Sequence, residues 1–217
     1  MVPRPLNILA MTPTHFELRA IEKVIERYNC TFAISGVGPV ETAHRLTRLI
    51  EAERPDVVLM CGLGGLYCKD NEFEPGVFVA ETEILADLGR CTMDGLLPLE
   101  IEGQGLEQCF DLSMGWTMLT KDDLLSQGFS TARMATVSCV SADRARAQYI
   151  SGLYRVKVEN MEGASAALVC SHYDICLFEI RAISNIAGES DHSTWKIETA
   201  LNRLSEEVDR FLGFLYT

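Results

Sequence analysis

No stretch of this 217-residue sequence is long and apolar enough to cross a bilayer. The longest apolar run, Val57 to Leu66, is about half the ~20 residues a spanning helix requires, and three of its positions are glycine. The opening residues lack a charged segment followed by a long apolar core, so no secretory signal is expected. A cytoplasmic location with no membrane partner follows as the expectation. Positive charge is scarce: 19 lysines and arginines stand against 31 aspartates and glutamates, a net charge of −12. Such a surface repels phosphate backbones, which excludes nucleic-acid binding by general electrostatics. None of the eight cysteines is in CxxC spacing, and the four histidines form no HxH or HxxxH pair. A disulfide framework and a metal site are therefore not expected. Cys30, Cys61, Cys139, Cys170 and Cys176 sit in or beside apolar runs and read as small buried hydrophobes.

What is present is the composition of a core-forming chain, 47% hydrophobic and 23% charged. With no repeat, linker or low-complexity tract, residues 1–217 are expected to form one domain. Short apolar strands alternate with amphipathic helices. Strands fit at Asn7–Met11, Thr31–Ile34 and Asp56–Met60, and later near Gly76–Ile84, Arg133–Cys139, Val156–Asn160 and Ile175–Ile183. Helices fit at about Thr14–Tyr28, Val40–Arg54, Ala142–Gly152, Gly163–His172 and Ile197–Tyr216. This alternation predicts an α/β fold, three-layer α/β/α, with a central mixed, mostly parallel twisted sheet. The stretch Asp87–Gln127 is glycine-rich and weakly periodic, and is expected to be irregular.

Ligands of open α/β sheets bind beyond the carboxyl ends of the strands, which singles out four segments. In TPTHFEL, Thr14 and Glu17 have the spacing of a capping box, yet Glu17 at the mouth of a sheet is also a candidate general base. The two roles compete for one carboxylate. The glycines of CGLGGL (Cys61–Leu66) let a ligand approach the main chain, although the same letters serve tight turns. No lysine and Ser/Thr pair follows them, so this is not a P-loop. In VENMEGA, Glu159 and Glu162 lie near a helix N-terminus, where acids are stabilised by the dipole. Capping leaves Met161 between Asn160 and Glu162 unexplained; its thioether can lie against a sugar or base while the next carboxylate accepts ribose hydroxyl protons. The fourth segment, RAISNIAGESD, places Ser184 and Asn185 at a strand end, and it also reads as a plain turn.

Taken together, these segments resemble the purine nucleoside phosphorylase and nucleosidase superfamily, and within it the futalosine hydrolases. The resemblance spans nearly the whole chain, from NILAMTPTHFE through SGVGPVETA, CGLGG, GVFVAETEILADLGR and VENMEGA to RAISNIAGESDHSTWKI. It implies cleavage of the N-glycosidic bond of a purine nucleoside, futalosine, to hypoxanthine and dehypoxanthine futalosine in menaquinone biosynthesis. No metal or organic cofactor is implied, and a homo-oligomer, a dimer as the first guess, is. Position by position, Glu17 falls where the family has its water-activating glutamate. Met161 matches the methionine packed on the nucleoside, Glu162 the carboxylate on the ribose 2′- and 3′-hydroxyls, and Gly64 a backbone position beside the base. Asn160 and Val140 are added as neighbours of the nucleoside.

Asn185 departs from the methylthioadenosine nucleosidases, which read RA[LIV]SD with aspartate here. An asparagine carries both a donor and an acceptor. Its NH₂ suits O6 of hypoxanthine while its carbonyl accepts from N7–H. Against adenine the NH₂ would face another donor, at a cost of about 1–3 kcal/mol for the buried group left unpaired. Asn185 therefore favours a 6-oxopurine. A phosphorylase needs cations around its phosphate; SGVGP and CGLGG carry none, and Arg90 and Lys69 fall outside these two segments. Water is the expected nucleophile. The competing readings are a methylthioadenosine-type or other purine nucleosidase and a non-catalytic nucleoside-binding module. For the acidic tail of futalosine, Trp195, His192 and the Asp87–Gln127 region are the candidates.

Overall fold

The computed structural model describes residues 6–68, 73–92, 95–99, 108–116 and 119–216. The first half alternates β1 (Ile8–Thr12), α1 (His15–Arg27), β2 (Thr31–Ile34), α2 (Pro39–Glu53) and β3 (Val57–Leu66). Then come β4 (Val77–Leu85), β5 (Gly89–Thr92), β6 (Gly95–Pro98), β7 (Cys109–Asp111) and α3 (Lys121–Ser126). The remainder is β8 (Thr131–Thr136), α4 (Arg144–Tyr154), β9 (Val158–Asn160), α5 (Gly163–His172), β10 (Cys176–Ile186) and α6 (Ile197–Leu215). Helix α1 buries Leu18, Ile21, Val24 and Ile25, and α6 buries Leu201, Leu204, Val208, Phe211 and Leu212, the spacing of one face of a helix. None of the described helices is long and apolar enough to cross a membrane.

The sheet runs β10-β4-β8-β9-β3-β1-β2, and β10 also pairs with β3. The strands β10, β4, β8, β9 and β3 therefore close into a ring, with β1 and β2 extending outward from β3. The pairings β1–β2, β1–β3, β3–β10, β4–β8 and β8–β9 are parallel, whereas β4–β10, β3–β9 and β4–β7 are antiparallel. This is the mixed, mostly parallel sheet that the alternation predicts, with a closure that the alternation does not reveal. Helices pack in two pairs, α1 with α6 and α2 with α5, and α5 and α6 both lie on β10.

Three expectations are corrected. The CGLGGL segment is the second half of β3 and not a loop, because β10 runs alongside it from Cys61 to Leu66. The Asp87–Gln127 stretch holds the β5–β6 hairpin, β7 on the edge of β4 and the two-turn helix α3; strands of three or four residues are too short for periodicity to register. Residues 93–94, 100–107 and 117–118 of that stretch lie outside the described ones, as does Lys69. Cys139 is exposed, because β8 ends at Thr136 and the chain leaves the core there, while Cys30, Cys61, Cys170 and Cys176 are buried.

An aromatic cluster packs against α6 through Phe211. Phe178 is fully buried, stacked on Trp116 at 5.4 Å between ring centroids and edge-on to Phe211 at 5.0 Å. The Trp116 indole N–H donates to the Leu177 carbonyl at 3.0 Å, so the ring is fixed at both ends. Phe178→Ala is expected to lower unfolding free energy by about 3–5 kcal/mol in urea titrations; a loss below about 1 kcal/mol would contradict this account of the core.

Candidate active site

A cavity of about 280 Å³ opens at the carboxyl ends of β1, β9 and β10, over the glycine-rich half of β3. Glu17, Gly64, Val140, Asn160, Met161, Glu162 and Asn185, the seven residues singled out by sequence, all line it. A larger cavity of about 610 Å³ beside Tyr67, Arg144 and Ser151 gathers none of these groups. Among the described residues, no three His, Cys, Asp or Glu side chains converge as metal ligands would.

Glu17 both caps α1 and meets the cavity wall. Its Oε2 accepts from the Thr14 backbone N–H at 3.1 Å and the Thr14 hydroxyl at 2.7 Å, completing the capping box of α1. Its Oε1 accepts from the Leu63 N–H at 2.9 Å, so the two ends of the carboxylate are divided between the cap and the cavity wall. Each carboxylate oxygen has two acceptor sites, which leaves Oε1 one for a further donor. Burial pushes the Glu17 pKa above its ordinary value, opposed by the Leu63 N–H, Thr14 and the positive charge of Arg181.

Glu162 precedes α5 but does not cap it with its side chain. Asn160 does that work: its Oδ1 accepts from the N–H groups of Glu162 and Gly163 at 2.9 and 2.8 Å. The Glu162 carboxylate is thereby free to reach elsewhere. Its Oε1 accepts from the Gly38 N–H at 3.1 Å, in the SGVGP segment, and its Oε2 accepts from Arg181 Nη1 at 3.0 Å. Gly38 has φ +87°, a left-handed conformation that glycine adopts without strain, and this turns its N–H onto the carboxylate. Met161 stands half-buried between Asn160 and Glu162 on the cavity wall.

Arg181 organises all of this from beneath. It is fully buried; Nε donates to Glu179 at 2.8 Å and Nη1 to both Glu162 and the Leu63 carbonyl. Gly62 makes room for it, since a Cβ there would lie 2.6 Å from Nη1 and 3.0 Å from Glu17 Oε1. Neither Arg181 nor Glu179 was singled out from sequence, yet a signal exists. Glu179 and Arg181 interrupt the otherwise apolar CLFEIRAI run two residues apart, hence on one face of a strand, where an unpaired charge would be costly.

Further along β10, a bulge at Ser184 shifts the register between Ile183 and Asn185. Asn185 Nδ2 donates to the Ile186 carbonyl at 3.1 Å, and its Oδ1 accepts from the Ser184 hydroxyl at 2.9 Å. A carbonyl only accepts, so Ile186 fixes which end of the amide is NH₂. One N–H and one lone pair of Asn185 remain uncommitted to these partners. Val140 is half exposed on the facing loop. That loop is anchored by Glu159, which accepts from the Ser141 N–H at 3.0 Å, the Ser141 hydroxyl at 2.5 Å and the Tyr67 hydroxyl at 2.7 Å. Glu159 thus braces the wall, while Glu162 belongs to the cavity. Trp195 lines the cavity rim with the His192 ring tilted against it, 4.5 Å between centroids.

The family model of the phosphorylase superfamily matches residues 11–215. The futalosine hydrolase of Thermus thermophilus is 31% identical over 184 residues, covering 82% of this chain and 79% of that one. A 5′-methylthioadenosine/S-adenosylhomocysteine nucleosidase of Anoxybacillus flavithermus is 27% identical, covering 77% and 72%. The solved structure of a futalosine hydrolase mutant of Helicobacter pylori superimposes with a TM-score of 0.76 at 19% identity, covering 97% of this chain and 98% of that one, which speaks to the fold. The chain belongs to the phosphorylase superfamily. Within it, this enzyme is of the N-glycosyl hydrolase class, alongside the futalosine hydrolases and methylthioadenosine nucleosidases it resembles.

Removing the guanidinium would leave Glu162 and Glu179 buried without their counter-charge. Arg181→Met is therefore expected to cost about 3–5 kcal/mol of unfolding free energy in urea titrations; a loss below about 1 kcal/mol would show that the cluster does not depend on it.

Proposed function

We propose that this enzyme hydrolyses the N-glycosidic bond of futalosine, releasing hypoxanthine, and so serves menaquinone biosynthesis. The observation that carries the reading is Asn185, whose amide is oriented by Ile186 and Ser184 with one donor and one acceptor to spare on the cavity wall. That pair matches O6 and protonated N7 of a 6-oxopurine and mismatches a 6-aminopurine. The likeness to the Thermus thermophilus futalosine hydrolase supports the same choice.

In this scheme the nucleoside lies along the cavity with its base toward Asn185 and its ribose toward Glu162, and Met161 packs against it. Departure of the base leaves oxocarbenium character on the ribose, as in other glycoside hydrolyses. Glu162, held by Gly38 and Arg181, accepts from the 2′- and 3′-hydroxyls and puts negative charge beside the developing cation. N7 takes its proton from solvent water; the Asn185 carbonyl then accepts a hydrogen bond from N7–H and its NH₂ donates to O6, stabilising the leaving purine. Glu17 uses the open site on Oε1 to orient a water and take its proton.

Water fits this cavity better than phosphate does. Glu17, Glu159, Glu162 and Glu189 line it, and no lysine or arginine is among the described lining residues. The Gly38 N–H, one of the amides that could meet an anion in the SGVGP segment, is already taken by Glu162.

Three outcomes are expected. Incubated with futalosine, inosine and methylthioadenosine, the protein releases hypoxanthine from futalosine fastest and without need of phosphate; faster adenine release from methylthioadenosine would refute the assignment. Asn185→Asp moves preference toward 6-aminopurines, and an equal loss on both bases would make Asn185 merely structural. Because Glu17 must be ionised to act as a base and burial raises its pKa, kcat/KM falls as pH drops through a midpoint above the ordinary carboxylate value of 4.5. A rate independent of pH down to that value would remove Glu17 from the reaction.

A further inference from the structure

Beneath the ribose end of the cavity lies a second pair of acids. Glu83 of β4 and Glu179 of β10 are both fully buried. Glu83 Oε1 accepts from Asn160 Nδ2 at 2.6 Å and Oε2 from the Thr136 hydroxyl at 2.7 Å. Glu179 Oε1 accepts from Arg181 Nε, but its Oε2 is buried without a partner. The two carboxyl groups converge on Gly163: a methyl group added there would collide with both Glu83 Oε1 and Glu179 Oε2. Glycine at the first position of α5 is what lets them approach.

We propose that Glu83 and Glu179 hold one proton between them, and that this pair positions Arg181 and, through it, Glu162. The proton resides on Glu83 and is donated to Glu179 Oε2, which supplies the missing partner. The charge balance points the same way. Glu83, Glu179 and Glu162 are three buried carboxyls around a single guanidinium. One proton on the lower pair lets Arg181 neutralise Glu179 and leaves the remaining negative charge on Glu162, facing the cavity. Burial and the nearby Glu179 charge push the Glu83 pKa well above the ordinary carboxylate range, and burial also raises that of Glu179. The charged and titratable groups around the pair are Arg181 on β10, Glu162 before α5, Glu17 of α1 beyond the guanidinium, and the Cys61 thiol on β3. Asn160 and Thr136 are neutral, and Asn160 ties the pair to the Met161–Glu162 segment by bonding to both.

Glu83 and Glu179 are thus positioning residues, and the proposal rests on the reading that Glu162 holds the ribose. The test is infrared spectroscopy of the enzyme without substrate, joined to kinetics. At pH 8 the wild type is expected to show the C=O band of a neutral carboxylic acid. The band should vanish in Glu83→Gln, whose amide replaces the protonated acid, and persist in Glu17→Gln. A wild-type spectrum with carboxylate bands alone, a band that survives in Glu83→Gln, or one that disappears in Glu17→Gln would each overturn the proposal. Glu83→Gln, whose amide keeps the donor to Glu179 but cannot accept from Asn160 Nδ2, should lower kcat/KM no more than about tenfold, whereas Glu83→Ala should lower it about a hundredfold by displacing Arg181 and Glu162. Equal damage from both variants would contradict positioning through a shared proton. The band does not depend on turnover, so a spectrum as expected from an enzyme inactive on nucleosides would overturn the functional reading and leave the proton pair standing.

Discussion

One buried guanidinium links the elements that make the site. Arg181 reaches Glu179 on its own strand, the Leu63 carbonyl on β3 and Glu162 before α5, with no exposure to solvent. A charge there is tolerable only because its donors meet carboxylates and carbonyls, and those carboxylates are tolerable only because of it. Much of the local sequence follows from this constraint. Gly62 is small because the guanidinium passes beside it, Gly163 because two acids converge on it, and Asn160 supplies the helix cap so that Glu162 is not consumed by it.

The division of labour between neighbouring acids is set by partners and not by composition. Glu159 and Glu162 are three residues apart in one motif, yet Glu159 is absorbed by Ser141 and Tyr67 whereas Glu162 faces the cavity between Gly38 and Arg181. Glu17 caps α1 with one oxygen and meets the Leu63 N–H at the cavity wall with the other, so capping does not consume the whole carboxylate. A net charge of −12 is then more than a surface property. It continues into a cavity whose described lining includes four glutamates and no lysine or arginine, an environment that favours a neutral nucleophile over phosphate. The described lining offers no lysine or arginine to the acidic tail of futalosine, the proposed substrate, and among the tail candidates named from sequence it is Trp195 that lines the cavity.

The alternation of strands and helices was legible because amphipathic helices such as α1 and α6 repeat their apolar positions every three to four residues. The closure of the sheet was not, since it depends on β10 pairing with both β3 and β4, a long-range choice that no local period encodes. The residues lining the cavity were legible through VENMEGA and RAISN, whose polar letters sit where strands end. What supports them was less so. Arg181, Glu179 and Glu83 lie inside apolar strands, and their meaning emerges only when β10 and β4 are brought against Gly163 and Gly62. The bulge beside Asn185 on the cavity wall is likewise a property of strand register and not of the letters RAISN.

In the proposed mechanism Glu17, although it caps a helix, is the group that activates water, and this role is the one on which hydrolysis turns. It is tested most directly by measuring equilibrium nucleoside binding and single-turnover base release on the same preparation of Glu17→Gln. The account predicts a Kd within about threefold of the wild type and release slowed at least about a hundredfold. Release at the wild-type rate would contradict it and return Glu17 to its capping role alone.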